Sequence, residues 1–302
     1  MATTKHAPIV EELISLIAKN NWQSKFEQAL KACHDANTIE YENIKTMEDY
    51  YEWLDNSLKW IPVENPEGTA VYNCVTTFYY LLDQSPVKDL QTPIIPSQLK
   101  GNVMPPLTPL SDWMRRYVIA FGAWMDEPGS IDEEAVKSYY NSPRYNMGDY
   151  DMPMGGWKTF NQFFARYTKP GYRPVAAIND DHVITSPADS TNDGQWEINA
   201  ESKVNIKGLE WSIEELLEGS PYKDCFDGGI FIHQFLNTTD YHREHAPVGG
   251  KVLEARLVQG VVYLGVAAET LRMTPKAAPT SYAANSRLLT KPVISSCRCA
   301  AW

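Results

Sequence analysis

The feature that most constrains the fold of this 302-residue chain is a change of hydrophobic period partway along it. Towards the N-terminus, apolar residues recur at helical spacing. Ile9, Leu13, Ile14, Leu16 and Ile17 form one apolar face behind Pro8, a residue suited to a helix start. Trp22, Phe26, Ala29, Leu30 and Cys33 repeat the pattern, as do Met47, Tyr50, Tyr51, Leu54 and Leu58. Residues 70–83 read as a further helix. Six prolines between Ser85 and Pro109 then mark a long connection laid over a surface. A helix is expected from about Ser111 to Met125, with Ser111 as its N-cap. Another is expected to start near Ile131, with Asp132, Glu133 and Glu134 in its first turn, where the helix dipole favours acids.

From about residue 180 the text becomes strand-like. His182-Val-Ile-Thr, Trp196-Glu-Ile, Val204-Asn-Ile, Gly229-Ile-Phe-Ile and Val252 to Val266 are short runs divided by Gly, Pro, Asp and Asn. The expected class is therefore α+β, a helical N-terminal region followed by a β-rich one. The last thirty residues, including Leu271-Arg-Met-Thr, show neither helix nor strand period. A β-rich domain ending in this way is expected to leave sheet edges open.

Composition narrows the function. Apolar residues make up 43% of the chain, with nine Trp and seventeen Tyr, so it has the material for a folded core. The net charge of −11 argues against wholesale binding of nucleic-acid phosphates and against electrostatic attachment to an anionic bilayer. It leaves a cationic or zwitterionic amine open as a substrate. Five cysteines are an odd set for a disulfide framework. The N-terminus lacks the apolar run of a secretory signal, and no segment reaches the roughly 18 uninterrupted apolar residues of a membrane span. The expectation is a cytoplasmic protein without a transmembrane segment.

The chemistry concentrates in Asp240-Tyr-His-Arg-Glu-His-Ala-Pro-Val-Gly-Gly250. His242 and His245 stand three residues apart, and histidine is the side chain whose unperturbed pKa lies nearest neutrality. Such a pair can hold a metal, share a proton, or divide two tasks between them. With Glu244 and His233 nearby, a metal-dependent hydrolase is one reading. However, the spacing is not His-Glu-x-x-His, and Pro247 and Gly249 oppose a regular helix. A structural, hydrogen-bonded role for one imidazole is the plainer alternative.

The surrounding residues are more specific. Asn237-Thr-Thr-Asp-Tyr-His-Arg-Glu-His-Ala-Pro-Val-Gly-Gly-Lys-Val252 resembles the histidine motif of the phosphatidylserine decarboxylase family. Phe160-Asn-Gln-Phe-Phe-Ala-Arg166 leading to Arg173-Pro174, Ser186-Pro-Ala-Asp189, and Ile206-Lys-Gly-Leu-Glu-Trp-Ser-Ile-Glu-Glu-Leu-Leu217 resemble three further family motifs in the same order. Upstream, Thr108-Pro-Leu-Ser-Asp-Trp, Tyr145-Asn-Met-Gly-Asp-Tyr and Gly156-Trp-Lys-Thr-Phe-Asn look like the helical extension of a soluble fungal branch that includes L-tryptophan decarboxylase-like enzymes. The resemblance covers roughly residues 40 to 270. It implies a helical extension over 1–150, an incomplete catalytic domain over 151–270 and a divergent tail over 271–302.

The resemblance also implies a mechanism. In this family a serine after a glycine attacks the preceding carbonyl, and elimination leaves a pyruvoyl group. That group condenses with a substrate amine and acts as an electron sink while carbon dioxide leaves. By motif, His245 would be the base that activates the serine, and Asp189 its orienting carboxylate. His242 would be the general acid that protonates the carbanion. Asp189 is otherwise an ordinary turn residue, since Pro-Ala-Asp-Ser is good turn chemistry. Arg243 is expected in a structural ion pair before a substrate role, and Phe163, Phe164 and Trp211 in the core. The substrate would be a small-molecule amine, such as an aromatic amino acid, or phosphatidylserine.

One departure stands out. Gly-Ser occurs only at Gly129-Ser130 and Gly219-Ser220, both upstream of His242, and Ser295-Ser296 lacks a preceding glycine. The expectation is a C-terminally truncated family member that cannot form its pyruvoyl cofactor and is inactive as it stands. The alternatives are a non-catalytic scaffold or binding relative and, behind it, the metal-dependent hydrolase.

Overall fold

The computed structural model describes residues 5–93, 106–180, 182–199, 203–206, 209–212, 216–217, 220–255, 261–262, 266–269 and 272–275. Among these, helices occupy the first half and short strands the second, so the α+β expectation holds. Part of the proline-rich connection lies outside the described residues. So do Tyr282–Leu289, the Ser295-Ser296 pair, Cys297 and Cys299.

The helices are α1 (Pro8–Lys19), α2 (Gln23–Asp35), α3 (Met47–Ser57), α4 (Ala70–Leu82) and α5 (Pro109–Met125). Their apolar faces meet in a first core containing Leu13, Ile17, Phe26, Tyr50, Leu54, Leu81 and Trp113. Polar tips inside it are paired with backbone oxygens. Trp113 Nε1 donates to Ile9 O at 2.7 Å, Tyr117 Oη to Leu54 O at 2.7 Å, and Tyr41 Oη to Thr77 O at 2.9 Å. Pro8 opens α1 as expected, and a Thr46–Asp49 capping box opens α3. Ser111 is not the cap of α5. Thr108 is, accepting from Ser111 N, because the prolyl residue at 109 suits the first helical position. Ser111 is buried, and its hydroxyl instead accepts from Thr92 N.

A second core lies beyond α5. It joins Phe121 and Met125 to α6 (Glu133–Tyr140), α7 (Phe160–Phe164), Tyr145, Tyr150 and Trp157. Asp132 caps α6 and is not within its first turn. Glu64 ties this core to the start of α4: its carboxylate accepts from Ala70 N at 2.5 Å, Asn65 N at 2.9 Å and Tyr145 Oη at 2.7 Å. Acceptors at a helix N-terminus also meet its positive dipole end.

The strands are β1 (Tyr150–Asp151), β2 (Tyr167–Thr168), β3 (Thr191–Glu197), β4 (Lys203–Ile206), β5 (Leu209–Ser212), β6 (Ile230–Phe235), β7 (Val266–Glu269) and β8 (Arg272–Pro275). They form antiparallel pairs β1–β2, β3–β6, β4–β5 and β7–β8. A third, small core joins Ile198, just after β3, to Phe231 of β6, with Trp211 and Phe226 packed on it.

Three expectations are corrected. Val183 and Ile184 form no ladder strand, and neither do Val252 to Glu254; Val252 is 79% exposed. A β-branched run becomes a strand only where a neighbour offers a ladder. Conversely, polar Thr191-Asn-Asp-Gly-Gln is strand because β6 pairs with it, through a bulge at Asn192/Gly194. Arg272–Pro275, expected to be irregular, pairs with β7.

Histidine fixes the N-terminal end of the first core. His6 Nδ1 lies 2.6 Å from Asp55 Oδ2 and Nε2 lies 3.1 Å from Glu48 Oε1, with only 3% of the side chain exposed. Lys5 pairs with Glu48, His6 N donates to Glu11 Oε1, and the Tyr51 ring lies edge-on at 5.9 Å. Burial lowers the imidazole pKa, but the bonds and charges of Asp55 and Glu48 outweigh it, so the net shift is upward. A raised folded pKa gives stability that is full below the unfolded value of about 6.5 and is lost as pH rises through the folded value. The thermal midpoint of the chain is therefore expected to fall with rising pH above neutrality, and a His6→Gln variant to flatten that slope. An unchanged slope in the variant would rule the latch out.

Candidate functional site

The site is assembled where α7 ends. Thr159 caps this short helix by accepting from Gln162 N at 3.1 Å, which sets Phe160 and Phe163 into the second core. The last residue of the helix and the two that follow it each grip the histidine loop. The Phe164 ring packs on the His242 ring, centroids 4.0 Å apart. Ala165 O accepts from Arg243 Nε at 2.8 Å. Arg166 Nη2 points at Thr239 O (3.2 Å) and Asp240 O (3.3 Å).

The histidine loop itself begins with a tight turn. Asn237 N donates to Asp240 Oδ2 at 2.7 Å, and Asp240 N donates back to Asn237 O at 3.0 Å. Burial raises the pKa of Asp240, against the hydrogen bonds it accepts. Tyr241 follows, 4% exposed and part of the second core, so the loop is plugged into the helical half. The Arg243 guanidinium lies 3.6 Å over the Tyr167 ring. Its contacts are thus a carbonyl and a ring face, and the expected ion pair is not found among the described residues.

The two imidazoles occupy different environments. His242 Nε2 lies 2.7 Å from Asn237 O, an oxygen that can only accept, so this nitrogen carries the proton and Nδ1 is left as the lone pair. Burial drives the His242 pKa down to about 4, opposed by the Asn237 bond and assisted by the Arg166 charge. At neutral pH the ring is uncharged. His245 is exposed, beside the Tyr241 ring at 5.8 Å.

The aspartate motif lies antiparallel to this loop. Thr185 N donates to Pro247 O at 3.0 Å, His245 N donates to Pro187 O at 2.7 Å, and Asp189 bridges Tyr241. Ser186 and Ser190 hydroxyls reach Gln234 Oε1 on β6 at 2.7 and 3.1 Å. Asp189 and His245 thus stand on neighbouring extended segments. Their side chains are not hydrogen-bonded to each other. The Asp189 carboxylate is instead held by Arg173 Nε at 2.5 Å, while Arg173 Nη1 takes Asp149 Oδ2 at 2.6 Å. Arg173 does this from a left-handed backbone conformation, φ +48°.

Among the described residues, no serine behind a glycine is placed to form a pyruvoyl group. Ser130 is fully buried, donating to Met125 O at 3.1 Å and accepting from Phe160 N at 2.9 Å, a structural role. Ser220 donates to Glu254 Oε2 at 2.6 Å. Neither serine behind a glycine in this chain is paired with a histidine. Among the described residues no three His, Cys, Asp or Glu side chains converge to hold a metal ion. Sequence reasoning gave Arg166 and Arg173 no roles, although both are central to the geometry. The signal for Arg166 was a charge at the end of an apolar run.

Sequence comparison finds known proteins that resemble this region. Residues 160–291 match the family model of phosphatidylserine decarboxylase. The chain is 37% identical over 150 residues to phosphatidylserine decarboxylase proenzyme 3 of Schizosaccharomyces pombe, covering 50% of this chain and 15% of that protein. It is 31% identical over 154 residues to the phosphatidylserine decarboxylase proenzyme of Fusobacterium nucleatum, covering 51% and 48%. With phosphatidylserine decarboxylase proenzyme 2 of Oryza sativa it shares 35% over 156 residues, covering 52% and 25%. The chain spans less than half the length of each of these relatives. The likeness to phosphatidylserine decarboxylase thus spans residues 160–291, the stretch that holds α7, the aspartate motif and the histidine loop.

Proposed function

We propose that this chain carries the acid–base half of a pyruvoyl-dependent decarboxylase. The observation that supports this reading best is the antiparallel contact of the two motifs, with Asp189 opposite Tyr241 and His245 N bonded to Pro187 O. It leaves the exposed His245 imidazole open to a serine hydroxyl, with Asp189 on the adjacent segment to orient it once released from Arg173. His242 serves the second task. Its neutral ring offers Nδ1, and an anionic substrate group beside it would raise its pKa and turn it into a proton donor.

The substrate class is an α-amino carboxylate. The names of the relatives favour the serine headgroup of phosphatidylserine, and the resemblance of the helical extension to a soluble fungal branch favours a free aromatic amino acid. Among the described residues no helix is long and apolar enough to cross a membrane. The odd number and irregular spacing of the five cysteines favour a reducing, cytoplasmic setting over a disulfide framework. The 302 residues alone cannot make the electrophile, so the chain by itself is inactive on this reading. The non-catalytic scaffold is the second reading, supported by the same lack of a suitable serine.

The test supplies the missing part. Residues 1–291 are joined to the C-terminal part of the Fusobacterium relative, a protein of which this chain covers 48%. The chimera is expected to split into two bands, with a blocked N-terminus on the smaller. His245→Ala and Asp189→Asn chimeras, and the 302-residue chain, are expected to stay single. Cleavage that survives His245→Ala, or cleavage of the 302-residue chain itself, would overturn the proposal, and a chimera that never cleaves favours the scaffold.

A further inference from the structure

Arg166 presents a problem that neither the family likeness nor the proposed chemistry explains. It is 1% exposed, among the largest fully buried side chains of the protein. Three aromatic rings surround its guanidinium carbon, Tyr150 at 4.1 Å, Phe163 at 5.1 Å and Tyr145 at 5.6 Å. Nε and Nη1 have no hydrogen-bond partner among the described residues; the Tyr150 phenol is near enough to favour the charge without completing a bond of normal geometry. A buried cation with two unpaired nitrogens is costly, and an apolar residue of similar volume would fill the cage at less cost. What an apolar residue cannot do is hold the carbonyls of Thr239 and Asp240, and these belong to the turn that leads into His242.

That turn determines the state of the His242 ring. Asn237 O, the acceptor of the His242 Nε2 proton, is also the acceptor of Asp240 N. If the carbonyls of 239 and 240 rotate, the Asn237–Asp240 turn opens and His242 loses the bond that selects its tautomer. The rings of Phe164 and His242 and the Ala165–Arg243 bond fix the loop on either side. The guanidinium is thereby the centre of a three-residue clamp, each residue of which touches a different part of the loop.

We propose that Arg166 is a positioning residue for His242: by holding the Thr239 and Asp240 carbonyls it fixes the turn that keeps the His242 proton on Nε2 and presents Nδ1 as the free lone pair. The aromatic cage substitutes for the hydrogen bonds the guanidinium lacks, so its charge stays beside the imidazole and opposes protonation. Asp240, Arg243 and Glu244 flank His242 on its own loop, and Asp189 and Arg173 lie across from Tyr241. Unlike these groups, Arg166 is fully buried against the core and donates to the turn from outside it. The tautomer assignment holds whatever reaction the ring serves; its catalytic meaning rests on the functional reading above.

The test is nuclear magnetic resonance on the full 302-residue chain, nitrogen-15 labelled at histidine and arginine, with His242 assigned from a His242→Gln variant. The wild-type ring is expected to show a single Nε2-protonated pattern that persists well below neutral pH. Arg166→Met and Arg166→Lys are expected to give mixed tautomers and to move the His242 titration upward by about one unit or more. The His6 titration should stay in place as a control for the rest of the fold. A folded Arg166→Met chain with an unaltered His242 pattern overturns the proposal. If neither variant folds, the wild-type spectrum still decides. A mixture of His242 tautomers, or an Arg166 Nε proton without the upfield displacement expected over aromatic rings, overturns it. Because no decarboxylation is read, failure of the functional reading leaves this result untouched.

Discussion

Replacing Phe163 by alanine is expected to destabilise the chain by about 3–5 kcal/mol, the range for truncating a fully buried aromatic. Phe163 is 0% exposed. Its ring meets Tyr139 at 4.3 Å, Trp157 edge-on at 5.3 Å and Phe160 at 5.9 Å, so the cavity opens in the middle of the second core and not at its edge. These aromatics are themselves tied to backbone oxygens or neighbouring rings and cannot collapse into the space; Tyr139 Oη, for one, donates to Pro62 O at 2.9 Å. The damage also reaches the site, because Phe163 is one wall of the Arg166 cage. Urea denaturation measures the loss, and a decrease under about 1 kcal/mol would mean that the site relaxes far more than its packing implies. Phe164→Leu is the contrasting variant. Phe164 is only partly buried, so global stability should change little, while His242 loses a covering ring and titrates nearer its ordinary value.

That contrast marks the limit of what the sequence discloses. The helical half is legible because helix formation depends on local spacing and caps. Leu13 and Ile17, or Tyr50 and Leu54, declare a face that any partner helix can bury. Even there, the cap of α5 is Thr108 and not Ser111, because Pro109 takes the first helical position, and the Ser111 hydroxyl is left to accept from Thr92 N, nineteen residues away. Strands depend on distant partners, and so Thr191-Asn-Asp-Gly-Gln was hidden while Val183 and Ile184 misled. Asp189, His242 and His245 were legible as a set through the motifs. Their mutual geometry was not, since the arginine that takes Asp189 lies sixteen residues upstream in a loop with no periodic signal. Arg166 shows the same limit most clearly: its charge conflicts with its apolar surroundings, and only the fold shows that the conflict is resolved at two carbonyls.

The second large effect concerns acid, and it runs opposite to the behaviour of His6. His242 has a folded pKa of about 4 against an unfolded value of about 6.5. Between these values the unfolded chain binds a proton that the folded chain does not, so stability is full above about pH 6.5 and falls as the pH drops towards 4. The difference of roughly 2.5 units corresponds to about 3 kcal/mol by the end of that window, as an order of magnitude. His242→Gln removes the titrating group while an amide can still donate to Asn237 O. It is expected to be close to wild type at pH 7 and to lose less stability on acidification. Carboxylates titrate in the same range, so the quantity to measure is the wild-type minus variant difference in unfolding free energy, taken from about pH 7 down to about pH 4. A difference that stays constant across the window would show that the imidazole is not held neutral by its surroundings. It would also remove the basis for assigning the Nδ1 lone pair to substrate. A difference that grows towards acid would place His242 in a desolvated pocket closed by Phe164 and Arg166, where proton transfer to a bound substrate is controlled by the charge the substrate brings.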